Sequence, residues 1–279
     1  MTTSNITSRV EQSGQRAAHG PWFSWVARFG FAARGALYIL MGVLVADLAF
    51  GNGGKNASQA GALQTVAHQP FGEWLLIAIT VGFAGYALWR LMQAALGHGP
   101  EGGGEDTPGY RLMALVSGLI YLSFMVLSIR VLTSPNHNAG QKPKASHAAS
   151  SVLSLPGGQV VLGIVALALI GAGVYQAWKG ITQSFLEDAK TGEMSPTVRT
   201  WYTRTGVIGY LGRAAVFGLT GALVAEAAIS NRAHQAKGLD GALQKLGNQP
   251  FGVVLLLVIA AGLVAFGLYS LADARYRRI

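Results

Sequence analysis

Apolar and polar segments alternate six times along this 279-residue chain. The apolar runs lie near 31–50, 73–95, 112–132, 159–180, 207–229 and 252–271. Each is long enough to cross a bilayer as a helix, which takes about 20 residues. Fully apolar helices rarely come six to a soluble chain, so the pattern predicts an all-α polytopic membrane protein. The first run contains Asp47, the third Arg130 and the fifth Glu226, each near one end.

The polar segments carry a repeat. GALQ…QPFG occurs at 61–72 and again at 241–252, and an apolar run follows each copy. LPGG at 155–158 is a fainter third copy, also before an apolar run. Repeats of this kind mark an array of similar units. Each unit reads as a helix, an outer loop and a return helix: 28–97, 110–186 and 204–276, with the basic tail extending the third to 279. An N-terminal segment, 1–27, precedes them and includes an interfacial stretch from Trp22 to Arg28. Linkers span 98–109 and 187–203. Two helices per unit bring every unit in with the same orientation, so the repeats are parallel. Three parallel units predict a pseudo-threefold bundle of six transmembrane helices.

The first helices align without gaps. Arg34, Gly35 and Tyr38 correspond to Ser117, Gly118 and Tyr121, and to Arg213, Ala214 and Phe217. Gly35, Gly42 and Ala46 share a face, and small residues on one stripe let helices approach closely in lipid. Gly82, Gly171 and Gly262 serve the return helices likewise. All six tryptophans fall near expected headgroup depth, as an aromatic belt requires. Segments 58–68 and 238–247 are expected to form short helices, with Ser58 and Asp240 as N-caps. The proline of QPFG is expected at the first position of each return helix, where a missing N–H costs little.

Charge refines this picture. Charged residues make up 12% of the chain, against about 25% in an ordinary soluble domain. The net charge is +9. Of the 21 Lys/Arg, 14 lie on the side of the termini and seven on the other, counting adjoining helix ends. Positive residues favour the cytoplasmic side, so both termini are expected there. Arg275, Arg277 and Arg278 then read as a topology anchor facing anionic lipid rather than nucleic acid. The first 20 residues lack the apolar core of a cleavable signal peptide. The absence of cysteine excludes disulfides, thiolate catalysis, cysteine-ligated zinc and iron–sulfur clusters.

The repeat alignment places Asp47, Arg130 and Glu226 at one equivalent position, about a turn inside the outer end of each first helix. Ionisable groups at membrane depth usually face the protein interior and mark functional sites. Three readings stay open: a proton or ion pathway, a structural cluster in which Arg130 neutralises the acids, or snorkelling to the outer headgroups. Arg28, Arg34, Arg204 and Arg213, at the opposite end, read as topology anchors or as lipid-phosphate ligands. The six histidines, His19, His68, His98, His137, His147 and His234, all fall outside the membrane cores. No haem, other cofactor or metal is expected from them. No HExxH, GxSxG or P-loop motif is present, and no enzymatic activity is expected.

The pattern ARFGFAARGALY at 27–38, the GALQ…QPFG loops and AGYALWR at 84–90 resemble a bacterial membrane family defined only as a domain of unknown function. The resemblance covers nearly the whole chain after residue 25. It implies three tandem two-helix repeats and a multi-pass protein of the bacterial cytoplasmic (inner) membrane, and brings no activity with it. Repeat 2 departs from the pattern, with Ser117 in place of the arginine and PGG in place of PFG. The expected role is a structural or accessory membrane protein that binds lipid or another membrane complex, with no nucleic acid. The alternative is a small ion or solute channel built on Asp47, Arg130 and Glu226. The first reading predicts a packed centre with those three charges gathered at its outer end.

Overall fold

A computed structural model of the chain describes residues 21–51, 57–96, 107–134, 145–232 and 238–278. Most of the N-terminal segment, the centre of the 98–109 linker, parts of the outer loops, and His19, His98, His137 and His234 lie outside the described residues. Among the described residues the chain is all-α. Six helices are long and apolar enough to cross a membrane: α1 (Pro21–Ala49), α3 (Gly72–Leu96), α4 (Pro108–Thr133), α6 (Gly158–Ile181), α7 (Pro196–Ser230) and α9 (Gly252–Tyr276). Three short helices lie in the outer loops: α2 (Gln59–Ala67), α5 (Ala145–Leu153) and α8 (Leu239–Gly247).

Each outer loop ends in the same turn, and the turn explains the repeated motif. Phe71 and Phe251 adopt left-handed backbone at φ 60° and 61°, and a glycine opens the following helix. A Cβ on Gly72 or Gly252 would overlap the carbonyl of Val66 or Leu246 at the end of the short helix, so only glycine fits. In repeat 2 the left-handed position is Gly157, at φ 75°, which bears no side-chain cost. The proline therefore sits two residues before the helix rather than at its first position, because the αL residue stands between them. Ser58 caps α2 as expected, accepting from the Gly61 N–H. The N-cap of α8 is Gly238, not Asp240.

Helix packing follows chain order around an incomplete ring. α1 packs on α3, α3 on α4, α6 on α7, α7 on α9, and α9 closes back onto α1. Among the described residues no extended contact joins α4 to α6, the two helices of repeat 2. The ring is thus pseudo-threefold in order but open at one of its six junctions. Burial follows: 61% of the apolar window of α1 is buried and 50% of that of α9, against 22% in both α4 and α6.

The sequence accounts for the opening. Junctions between repeats are made three times, each through Gly35 or its first-helix equivalent, Gly118 or Ala214. A Cβ on Gly35 would meet Leu271 at 2.8 Å, one on Gly118 would meet Leu91 at 2.8 Å, and one on Gly173 would meet the Ala214 carbonyl at 3.1 Å. Junctions within a repeat are made twice. In repeat 1, Gly30 lies against Tyr86 and Ala33 against Gly82; in repeat 3, Gly209 lies against Phe266 and Gly212 against Gly262. The equivalents in repeat 2 are Met113 with Tyr175 and Val116 with Gly171. Met113 and Val116 replace the small residues that close approach in lipid requires. Both are exposed, and a Cβ on Gly171 would meet nothing.

Candidate functional site

The strongest polar feature lies at the end of the ring nearest the termini. Arg34 of α1 is buried and splits its guanidinium three ways. Nη1 donates to the Tyr86 hydroxyl at 2.8 Å, Nε to Ser270 Oγ at 3.2 Å, and Nη2 to Asp273 Oδ2 at 3.2 Å. Asp273, on α9, is fully buried; its other oxygen accepts from the Tyr202 hydroxyl of α7 at 2.6 Å. Arg277 bridges Asp273 at 3.4 Å and Asp188 at 3.0 Å. Asp188, in the loop after α6, also receives Lys179 at 3.0 Å. Backbone pairing completes the join, with Lys190 N donating to Tyr276 O at 2.7 Å and Arg278 N to Asp188 O at 3.0 Å.

The network ties α1, α3, α6, α7, α9 and the 182–195 loop into one unit. Buried charges are tolerated when paired and hydrogen-bonded, as here. Burial pushes the Asp188 carboxyl up, but Arg277 and Lys179 outweigh it and hold the group down at about 2. Burial lowers Arg277, and the two aspartates more than restore it. Aromatic faces flank the cations: Arg34 lies 4.8 Å from the Phe31 ring centroid and Arg277 5.6 Å from that of Trp89.

A second feature lies against α7. A cavity of about 160 Å³ is bounded by α1, α6, α7 and α9 and covered by the short helices α2 and α8. Its walls pair equivalent positions of repeats 1 and 3: Tyr38 with Phe217, Met41 with Thr220, Gln59 with Leu239. Arg213 lines it too. Its guanidinium lies 4.3 Å from the Phe266 ring centroid and 5.4 Å from that of Tyr38. With the Gln176 amide oriented so that its oxygen faces the cation, that oxygen accepts from all three Arg213 nitrogens at 2.9–3.2 Å.

The comparisons bear on this arrangement directly. Residues 29–97, 112–183 and 208–277 each match the family described as Domain of Unknown Function (DUF1206). The chain belongs to the DUF1206 family. Three tandem copies of the DUF1206 unit thus make up the ring, one two-helix unit per match. The chain is also 29% identical over 261 residues to the uncharacterized protein YxxB of Bacillus subtilis (strain 168), covering 93% of each. No solved structure matches it.

Within this DUF1206 protein the equivalent positions have diverged in chemistry. Asp47, Arg130 and Glu226 do not gather. Arg130 and Glu226 are exposed and Asp47 is half-buried. Glu226 pairs at 2.7 Å with Lys245 of its own repeat's short helix, on the surface. Among the described residues no ion pair joins any two of the three. The reason is geometric: the helix face carrying them points away from the axis at the outer end. The expected charge cluster there is therefore corrected.

The four arginines at the other end part company. Arg204 is exposed, and Arg28 donates to the Arg275 carbonyl at 3.3 Å on the surface. Arg34 is no surface anchor but the centre of the ionic network. Arg213 is half-buried on the cavity. Arg277, read as part of a basic tail, is buried as well. Asp273 and Asp188 escaped the sequence reading. The available signal was Asp273 itself, an acid two residues past the last apolar run and four residues before Arg277.

Proposed function

We propose that this DUF1206 protein is a non-enzymatic, lipid-binding accessory protein of the bacterial cytoplasmic membrane, with both termini in the cytoplasm. One observation carries the reading: the ring is open between α4 and α6, and the apolar faces there meet no other helix. Leu167 and Val174 of α6 and Ile120 of α4 are exposed beside Met113, Val116 and Gly171. In a bilayer such faces are covered by acyl chains or by another apolar helix. The rest of the ring supports a scaffold: its ionic network joins five helices and leaves Asp273 no access to solvent. The bias of Lys/Arg toward the side of the termini supports the orientation. The channel reading loses its main support, because Asp47, Arg130 and Glu226 line no common path.

The test is purification in native membrane discs, followed by lipid extraction and mass spectrometry against empty discs. The expected result is stoichiometric enrichment of particular lipids, reduced when Met113→Gly and Val116→Ala allow α4 and α6 to close. A lipid content identical to that of empty discs would overturn the reading.

A further inference from the structure

We propose that Arg213 and the cavity against α7 form a binding site for an acidic amphiphile, an anionic oxygen head carried on an apolar chain. The head is a carboxylate or a phosphate monoester. The proposal rests on the lipid-binding reading above and names its ligand class.

Arg34 and Arg213 stand at the same position of repeats 1 and 3. Arg34 meets a carboxylate, Asp273, and the charge is balanced within the protein. Arg213 meets a neutral amide, Gln176, and the faces of aromatic rings. Its guanidinium is always ionised and forms no salt bridge among the described residues. It is also no end-of-helix anchor. Six residues separate it from the start of the apolar run at 207, about 9 Å of helix, and its side chain is half-buried against the cavity instead of lying on the surface. A charge at that depth, with its partner acid absent, calls for an anion from outside the chain.

The cavity decides what kind of anion. Met41, Val216, Leu169 and Leu263 give it apolar walls, and Thr220 lies two turns beyond Arg213 on the same helix. A fully hydrated ion gains little from such walls. At about 160 Å³ the space is below the usual size of a small-molecule pocket, about 300 Å³ or more. It holds a head group and the first carbons of a chain, not a whole lipid. The remainder needs an apolar exit, which the proposal places around α6 toward the open flank of repeat 2. Leu169, on the wall, belongs to α6, the helix that borders that flank.

The experiment uses the full chain in discs of zwitterionic lipid. Binding of palmitate, phosphatidic acid, hexadecanol and inorganic phosphate is followed by native mass spectrometry. Palmitate or phosphatidic acid is expected to bind saturably, one per chain, with hexadecanol and inorganic phosphate far weaker; the two acids together decide which head is preferred. Arg213→Gln is expected to weaken the acid by roughly 10- to 100-fold, the scale of one charge-assisted hydrogen-bond set. Arg213→Lys keeps part of the affinity. Gln176→Glu supplies an internal carboxylate in place of the ligand's, and is expected to weaken binding similarly without lowering the melting temperature. That variant keeps the test meaningful if Arg213→Gln folds poorly. Hexadecanol binding as well as palmitate, inorganic phosphate competing on equal terms, or unchanged acid binding by both Arg213→Gln and Gln176→Glu would each overturn the proposal. If lipid is retained but insensitive to these changes, the lipid-binding reading survives and this site does not. If wild type retains no lipid at all, the lipid-binding reading itself fails.

Discussion

Asp273→Asn is the sharpest probe of what holds the ring closed. The substitution keeps the shape of the side chain and leaves Tyr202 an acceptor, while removing the charge that faces Arg34 at 3.2 Å and Arg277 at 3.4 Å. Arg277 retains Asp188 at 3.0 Å, but Arg34 retains only the Tyr86 and Ser270 hydroxyls. Removing one partner of a buried ion pair costs about 3–5 kcal/mol, because the other charge stays buried. At about 2–4 °C per kcal/mol for a chain of this size, the melting temperature should fall by about 10 °C. The assay is thermal unfolding in detergent, read by the soluble monodisperse fraction. A paired change, Arg34→Met with Asp273→Leu, should cost less than Asp273→Asn alone, since it removes both charges together. Tyr86 then keeps Arg90 at 3.3 Å and Tyr202 keeps Tyr269 at 3.3 Å. A melting temperature for Asp273→Asn within about 2 °C of wild type, or a double variant worse than the sum of the singles, would refute the reasoning.

The remaining predictions test other parts of the structure. The chain lacks cysteine, so introduced pairs report cleanly: Thr80→Cys with Ser128→Cys, whose hydroxyls meet at 2.6 Å across α3 and α4, should cross-link readily, and Val116→Cys with Gly171→Cys should not. Equal yields would deny that repeat 2 is open. Asp188 has its carboxyl held at about 2 in the folded chain, below its unfolded value near 4. Its contribution, about 2 kcal/mol, is therefore present above pH 4 and lost as pH falls from about 4 to 2. Asp188→Asn should remove part of that pH slope, measured by thermal unfolding across the acid range. Glu226→Gln should shift the melting temperature by less than about 3 °C, because its exposed pair with Lys245 is worth about 0–1 kcal/mol. Gly158→Ala should be strongly destabilising, as its Cβ would overlap the Val152 carbonyl; a neutral result would place that turn elsewhere.

How much of this was legible beforehand depended on the range of the interaction. Hydropathy marked the six spans because each is set by its own composition. The repeat alignment gave ring order in part, since parallel units of two helices favour a closed sequence of neighbours. The same alignment misled at Asp47, Arg130 and Glu226. Equivalent positions share depth and helix face, but a face meets its counterparts only if it points to the axis. The ionic network stayed hidden because its pairs lie far apart in sequence, Arg34 with Asp273 and Asp188 with Arg277. It joins first helices to return helices of other repeats, and no comparison of like with like reveals it. The turn at QPFG was placed correctly and its geometry misjudged, for a left-handed phenylalanine is an uncommon conformation.

The divergence of repeat 2 is best understood as a single change with two consequences. A closed ring of three identical units would bury every first-helix arginine against the same acid and leave no entrance. Here Met113 and Val116 hold one junction open, and Ser117 removes one arginine. At the Asp273 position the other return helices carry Gln93 and Thr182, so the one carboxylate of that set serves Arg34. The two intact repeats thus supply a rigid frame, clamped by Arg34 and Asp273, while Arg213 is left without an acid on α7, the helix packed against α6. An entrance and an unmatched cation in the same molecule are of little use separately. Closing the junction with Met113→Gly and Val116→Ala should therefore weaken acid binding about as much as Arg213→Gln does, although it touches no residue of the cavity wall.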